Sequence, residues 1–449
     1  MNTWKQFPEK VLVLGLARSG TAAANVLLES GKDVTVNDAA ASYEDVPVLA
    51  LQEKGARLVL GSHPLSVLEG IEMVVKNPGI RYDHPVVAEA QKRSIPVITE
   101  VELVAYITEQ PIIGITGSNG KTTTTTLVTE MLEKSDCKVK LAGNIGIAAT
   151  EVAQTMQADE KVVMELSSFQ LQGINTFRPS TAVLLNIYEA HLDYHGDLES
   201  YVRAKCNIFK NQHADDYLVY NADDPTLEEK VKGTKAKNIA FSATKNLYHT
   251  GAWADDTHVY FFDEAIIPLE DIVLVGKHNL ENILAAVAAA KLNGATNEGI
   301  QHVLKTFSGV KHRLEFVGLL HGRYVYNDSK ATNILATQKA LDSFKKDIVL
   351  LAGGLDRGNE FDELIPHLHH VKAMVVFGET APKLERVGKE AGIQVIEHAA
   401  GVDDAAKTGF SLADEGDILL LSPACASWDQ YKTFEERGDI FVQAVHTMK

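Results

Sequence analysis

The chain has 449 residues, so at ~150 residues per domain about three domains are expected. Its 43 Lys and Arg against 60 Asp and Glu leave a formal charge of −17, a whole-molecule field that argues against nucleic-acid binding. Hydrophobic residues make up 45% and charged residues 23%, which supports sizeable cores and speaks against disorder. Cys137, Cys206 and Cys425 lie too far apart for a disulfide framework or a cysteine zinc site, and they fit a reducing cytoplasm. The opening MNTWKQFPEK lacks the apolar core of a signal peptide. The longest apolar stretches, such as Ile283 to Ala290, fall short of the roughly 18 residues of a membrane helix. The expectation is a soluble, acidic, cytoplasmic protein without membrane insertion.

In chain order, Val11-Leu12-Val13-Leu14 reads as a short buried strand ending at Gly15, and Thr21 to Glu29 follows with helical spacing. Val34-Thr35-Val36 ends at Asn37-Asp38, and Met73-Val74-Val75 ends at Asn77-Pro78-Gly79. Strands alternating with helices imply βαβ units on a parallel sheet. Gly15-Leu16-Ala17-Arg18-Ser19-Gly20, with Asp38 ending the next strand, comes close to a dinucleotide fingerprint. Ala17 replaces its middle glycine and hinders close approach to a pyrophosphate. An NAD-dependent oxidoreductase would explain this segment but nothing further along.

A second unit opens at Pro111, where Ile112-Ile113-Gly114-Ile115 runs into a glycine turn and a Thr-rich helix start. Gly117-Ser118-Asn119-Gly120-Lys121-Thr122-Thr123 sits between strand and helix, the setting in which backbone N–H groups cradle phosphates and a lysine reaches the terminal ones. Thr122 would offer its hydroxyl to Mg²⁺. The strict G-x-x-x-x-G-K-[ST] spacing is not met, because Ile115 stands five before Gly120 and glycines fall at 114 and 117. Downstream, Val162-Val163-Met164 leads to Glu165, an acid at a strand end suited to holding Mg²⁺. His191 follows the strand Ala182-Val183-Leu184-Leu185, and is either a packed histidine or a ligand. Lys205 lies on a helical stretch, Tyr201 to Phe209, where a lysine is ordinarily solvated. Asn279 and Asn282 share a helix face, and serve either as an adenine or ribose contact or as polar residues near a helix start.

A third unit begins near Val310, with strands at Tyr324–Tyr326, Ile348–Leu351, Ala373–Val376 and Ile418–Leu421. No internal repeat is visible. The boundaries fall near residues 102 and 309, giving domains 1–102, 103–309 and 310–449.

Together these motifs resemble the Mur ligases, ATP-dependent amide-forming enzymes of peptidoglycan precursor synthesis. The resemblance spans essentially the whole chain. It rests on Thr116 to Thr122, Glu165-Leu-Ser-Ser-Phe-Gln170, Gly276-Lys-His-Asn279-Leu-Glu-Asn282 and His312-Arg313-Leu-Glu315. Asp328-Ser-Lys330-Ala-Thr332-Asn333 and Ser422-Pro-Ala-Cys-Ala-Ser427-Trp-Asp429 resemble the D-glutamate-adding branch specifically. The resemblance implies an α/β fold of three domains: a Rossmann-like N-terminal domain, a P-loop-type central ATPase domain and a Rossmann-like C-terminal domain. It implies an enzyme that joins D-glutamate to UDP-N-acetylmuramoyl-L-alanine through an acyl phosphate, with ATP and two Mg²⁺. A monomer is expected, although the sequence itself gives no oligomeric state.

The implied roles follow from that branch. Lys121, Thr122 and Glu165 serve the ATP side, and a second Mg²⁺ is held through His191 and Lys205, the lysine as a carbamate. Arg313 reaches phosphate and Asp328 the ribose, with Lys330 beside them, so the site completes when the third domain closes on the second. Thr332, Ser427 and Phe434 form the D-glutamate pocket. Arg357 either supplies its cation or is a solvated loop arginine. The UDP part of the substrate is contacted at Leu16, Ala17, Arg18 and Ser19, near Asp38 and Gly79, and Asn144 meets the sugar–diphosphate region.

Overall fold

The structure, a computed structural model, describes residues 3–274 and 276–448. The expected apolar runs fall on strands of three sheets, alongside strands that the sequence does not mark. β1 (Lys10–Leu14), β2 (Asp33–Asp38), β3 (Arg57–Leu60), β4 (Met73–Lys76) and β5 (Val97–Thr99) form a parallel sheet in the order β3-β2-β1-β4-β5. Four of the five β1 residues are buried, and a continuous apolar run is what a parallel strand covered on both faces requires. The helix Arg18–Glu29 starts three residues before the expected Thr21. It packs so closely on the β1 turn that a Cβ at Gly20 would overlap the Gly15 carbonyl, while Gly15 itself adopts φ +91°. Both glycines of the near-fingerprint are thus explained by packing alone.

The second sheet holds β6 (Ile112–Thr116), β7 (Val139–Gly143), β8 (Lys161–Glu165), β9 (Thr181–Leu184), β10 (Tyr217–Asn221) and β11 (Lys237–Ser242). It continues through β12 (Gly251–Ala254), β13 (His258–Phe261) and β14 (Glu264–Pro268), in the order β14-β13-β12-β11-β10-β9-β6-β8-β7. The strands from β7 to β12 pair in parallel, and β12 to β14 form an antiparallel extension. Trp253 stacks on Tyr260 there at 4.3 Å and donates its indole N–H to the Phe262 carbonyl.

The third sheet contains β15 (Glu315–Leu320), β16 (Arg323–Asn327), β17 (Ile348–Gly353), β18 (Val371–Phe377), β19 (Val395–His398) and β20 (Ile418–Leu421), ordered β15-β16-β20-β17-β18-β19. Only β15 runs antiparallel to its neighbour. Strand order reverses beside β6 and β20, and in open α/β sheets ligands bind beyond the carboxyl ends of strands at such points.

Internal contacts group the chain into two compact units. One takes residues up to Leu269 together with Glu281–Val303, and the other takes Glu270–Leu280 and residues from Leu304 onward. The first unit therefore contains two sheets, and buried polar anchors explain why. Thr99 donates its hydroxyl to the Gln170 carbonyl, and Glu100 accepts from the Thr150 amide and hydroxyl. Glu102, 1% exposed, accepts from the amides of Asn175, Thr176 and Phe177 and from the Thr176 hydroxyl. Four donors on one buried carboxylate make a strong joint, since hydrogen bonds to charged groups exceed neutral ones. Glu102→Ala should destabilise the first unit by about 3 kcal/mol, seen as an earlier urea transition; an unchanged midpoint would show that the joint contributes nothing.

Candidate active site

The phosphate loop is set by its neighbours. Gly120 adopts φ +82° and hands over to the helix Lys121–Glu133, whose first-turn amides have no partner within the helix. Ahead of it, the Ser118 amide donates to the Asn186 carbonyl and the Asn119 amide to the Asn186 side chain at 2.9 Å. A Cβ at Gly117 would meet Leu185 at 2.8 Å, and one at Gly120 would overlap the Asn282 amide. Asn282 is thus packed directly against the loop, and Thr123 is buried behind it.

Two lysines converge on this loop. Lys121 donates to the carbonyls of Gly117 and Ser118 at 2.8 and 3.0 Å, and Lys205 donates to the same Gly117 carbonyl at 2.7 Å. Lys205 is 2% exposed, on the helix Leu198–Cys206, and its ammonium lies 4.8 Å from the Tyr201 ring. The solvated lysine expected from the residues alone is not found, because that helix turns this face inward under the loop. Burial, and next the charge of Lys121, hold the Lys205 amine well below the ordinary lysine range.

Glu165 ends β8 and is buried. Its carboxylate accepts from the Thr122 hydroxyl and from the Asn144 amide, each at 2.8 Å. His191 holds φ +56° at the start of a short helix and sets its ring edge-on to Phe169 at 5.0 Å. Burial, then Lys205 and Lys121, push its imidazole below the ordinary histidine range. Among the described residues no group of three or more His, Cys, Asp or Glu could hold a metal. The Thr122 hydroxyl and the Glu165 carboxylate nevertheless form a hard oxygen pair, which suits Mg²⁺ completed by water and phosphate oxygens. An amine at Lys205 is no such ligand.

A cavity of about 280 Å³ in the first unit is lined by Ala17, Arg18, Ser19, Asn77, Pro78, Gly79, Glu100, Gly143, Asn144, Ala148, Ser167, Phe169 and Gln170. Five of the expected UDP-contact residues are therefore brought together. Arg18 reaches the carbonyls of Gly143, Asn144 and Gly146. Leu16 and Asp38 lie outside the lining; the Asp38 carboxylate accepts from the amides of Leu16, Ala40 and Ala41, the strand-end turn role of such an acid. Asn77, Phe169 and Gln170 lie in sequence motifs that give them no role at this site, and the sequence does not single out Glu100.

In the second unit Asp328 is buried just beyond β16 and accepts from the Leu314 amide and the Ser422 hydroxyl at 3.0 Å each. Burial pushes its carboxyl up to about 7, against those two bonds and the charge of Arg313. Asn279 belongs to the same unit. The Lys330 ammonium lies 5.4 Å from the Phe434 ring, and Thr332 is half-buried two residues on. Ser427 is buried, with its hydroxyl unpartnered. Arg357 is exposed and stacks 4.9 Å from Trp428.

Arg437, which the sequence reading missed, is fully buried. It donates to the Ser329 hydroxyl and carbonyl and to the carbonyls of Cys425 and Gly353. One side chain thus ties together the three segments that carry Lys330, Arg357 and Ser427. Burial pushes its guanidinium down to about 10, still cationic at neutral pH.

A strand-to-helix phosphate loop with its lysine and a buried acid at the next strand end are the parts of a nucleotide-dependent phosphoryl-transfer enzyme. Family models agree over most of the chain: Mur ligase MurD-like, N-terminal domain over residues 9–99, Mur ligase middle domain over 115–290, and Mur ligase, glutamate ligase domain over 312–425. The chain belongs to the Mur ligase family. Within it, the chain is 67% identical to the UDP-N-acetylmuramoylalanine–D-glutamate ligase of Oceanobacillus iheyensis, over 100% of both chains. It is 53% identical to the Bacillus subtilis enzyme of that name, over 99% of both. The fold is also that of UDP-N-acetylmuramate–alanine ligase from Thermotoga maritima, with TM-score 0.57, 18% identity and coverage of 98% and 100%. MurF ligase of the same organism gives 0.58 at 17% identity, covering 100% and 98%.

The buried Asp328 carboxyl generates a pH test. A carboxyl raised in the folded state contributes stability below its unfolded value near 4 and loses it as pH rises through about 7. The stability difference between wild type and Asp328→Asn should therefore shift toward the variant between pH 4 and pH 7, measured by urea denaturation. A difference that is flat across that range would mean the carboxyl titrates normally.

Proposed function

We propose that the protein joins D-glutamate to UDP-N-acetylmuramoyl-L-alanine, with ATP converted to ADP and phosphate, in the synthesis of peptidoglycan precursors. The observation that carries this reading is the full-length likeness to ligases of that name, with Lys121, Glu165 and Lys205 gathered around one loop. Forming an amide in water is uphill, so the substrate carboxylate first takes the γ-phosphoryl group as an acyl phosphate. The amine of D-glutamate then attacks that carbonyl and phosphate leaves. Positioning and charge stabilisation supply most of the rate in such transfers.

In this reading Gly117 to Thr123 and Asn282 serve ATP, joined by Asn279, Arg313, Asp328 and Lys330. Lys121 turns from the loop carbonyls to the transferring phosphoryl group. Thr122 and Glu165 would hold Mg²⁺, which would supply positive charge beside the anionic reactants. Leu16, Ala17, Arg18, Ser19, Asp38, Gly79 and Asn144 serve the UDP substrate, and Thr332, Arg357, Ser427 and Phe434 serve D-glutamate. The domains are 1–102, 103–309 and 310–449. The reading includes a cytoplasmic monomer, checked by sedimentation; no described helix is long and apolar enough to cross a membrane.

A second Mg²⁺ is assigned to His191 and Lys205, with the lysine as a carbamate. The support is chemical. A buried amine facing a second lysine across one carbonyl is neutral more readily than an exposed one, and only the neutral amine adds CO₂. The new N–C bond releases one proton and leaves an anion with two oxygens, which a hard cation accepts.

Three outcomes test the proposal. D-glutamate should trigger phosphate release while L-glutamate and meso-diaminopimelate do not; equal turnover with any of them would sink the substrate assignment. Lys121→Ala should lower kcat by roughly 10²–10³, the scale for one charge-stabilising donor, with UDP-substrate binding by calorimetry unchanged. Lys205→Arg, which cannot form a stable carbamate, should damage turnover as much as Lys205→Ala, and near-native activity of the arginine variant would remove the carbamate.

A further inference from the structure

Lys76 is a buried lysine that the proposed mechanism leaves without a task. It is the last residue of β4, lies 1% exposed, and is paired in register with Leu14 and Thr99. Among the described residues no carboxylate pairs with it. Its ammonium donates instead to the carbonyls of Pro78 and Ile80 at 3.3 and 2.9 Å, and to the Tyr194 hydroxyl at 3.0 Å. That hydroxyl lies 2.9 Å from each of the same two carbonyls. Two donors from different parts of the first unit therefore grip one short turn.

Both ends of this arrangement lead to functional ground. The turn lines the 280 Å³ cavity through Asn77, Pro78 and Gly79, and Asn77 binds both the Gly79 amide and the Ser19 hydroxyl. Tyr194 sits three residues after His191, with its ring 4.4 Å from Phe169, which also faces His191 and lines the cavity. Arg81, next to the turn, donates to the Asp193 carbonyl on the same segment. A buried charge without a counter-ion is costly, and a methionine would fill the space without that cost.

We propose that Lys76 and Tyr194 form a positioning clasp that sets the Pro78–Ile80 turn for an anionic, diphosphate-bearing ligand and couples that cavity to the His191 segment. The inference rests on the reading of the cavity as the UDP-substrate site. The clasp holds in either protonation state. An ammonium supplies three donors to three acceptors, and a neutral amine supplies two to the carbonyls and accepts from Tyr194. Burial pushes Lys76 down to about 7. The titratable groups facing it are Tyr82, Tyr194 and His195, with Arg81, Asp83 and Asp193 at the rim. None of these supplies an anion at neutral pH in contact with the amine, so a diphosphate in the cavity raises its proton affinity and binding takes up a proton.

The test uses the full-length protein, Lys76→Met, Tyr194→Phe and the double variant. Calorimetry measures UDP-N-acetylmuramoyl-L-alanine binding with and without Mg²⁺, in buffers of different ionisation enthalpy at pH 7.5. Because the clasp couples the cavity to the His191 segment, the wild type should bind more tightly with Mg²⁺ and take up a proton. Lys76→Met should weaken binding about tenfold, within the usual range of site-to-site coupling, and should abolish both effects. KM values for ATP and D-glutamate should stay near wild type, an outcome that general unfolding would not give. Tyr194→Phe, which removes only a hydroxyl, should move in the same direction, and the double variant should lose little more than Lys76→Met. Wild-type affinity, proton uptake and Mg²⁺ dependence in Lys76→Met would overturn the clasp alone. A wild-type protein that fails to bind the UDP substrate would overturn the cavity assignment and the clasp with it.

Discussion

The Gly117 carbonyl accepts from Lys121 and Lys205 at once, and the chemistry of the first unit is organised around that shared acceptor. Two ammonium groups within reach of one oxygen repel each other, and one of them is almost wholly buried. Either relief comes from deprotonation, as the lowered affinity of Lys205 for its proton indicates, or it comes from an anion drawn into the site. With either route the loop stays tightly curved, and the helix N-terminus with Lys121 keeps positive potential at it.

The second unit solves a related problem with a different cation. Arg437 stays charged because its guanidinium has no route to neutrality near pH 7, and it spends four hydrogen bonds on backbone and hydroxyl oxygens of three loops. Loops at strand ends carry function but are mobile unless tied down. A single planar donor with several N–H groups can fix three of them at once, where a lysine could not hold the same geometry. Ser427, left with an unpartnered buried hydroxyl in that fixed frame, is the kind of donor that an arriving carboxylate would satisfy.

The strands legible in the sequence, β1, β2, β4, β6, β8, β9, β16, β17, β18 and β20, are those with a mostly buried apolar run. β3 and β19 were not legible because much of each is exposed, and the β12–β14 extension because its strands are short and joined by polar turns. The phosphate loop and Glu165 could be read from their places at strand ends, whereas the C-terminal motifs were legible only through the family resemblance. Lys76, Arg437, Glu100 and Glu102 could not be placed, and Lys205 only through the family resemblance, since a charged residue on a local pattern predicts solvent. Their burial comes from contacts with residues far along the chain, such as Glu102 with 175–177 and Lys76 with Tyr194. Asn144 was legible as a site residue, while its bond to Glu165, which puts it between the cavity and the acid, was not.

These buried cations also resolve an apparent conflict between net charge and substrate. A protein at −17 has no long-range field that gathers polyanions, so ATP, a UDP-sugar and glutamate gain nothing from steering. Recognition must then be local and short-range, and it must act where water and salt screen least. A surface lysine would be screened within about 8 Å at physiological ionic strength, whereas Lys205 and Lys76 are enclosed. Enclosure also lowers the proton affinity of both amines, because burial disfavours the charged form. An acidic surface with a few enclosed basic groups thus confines attraction for anions to short range.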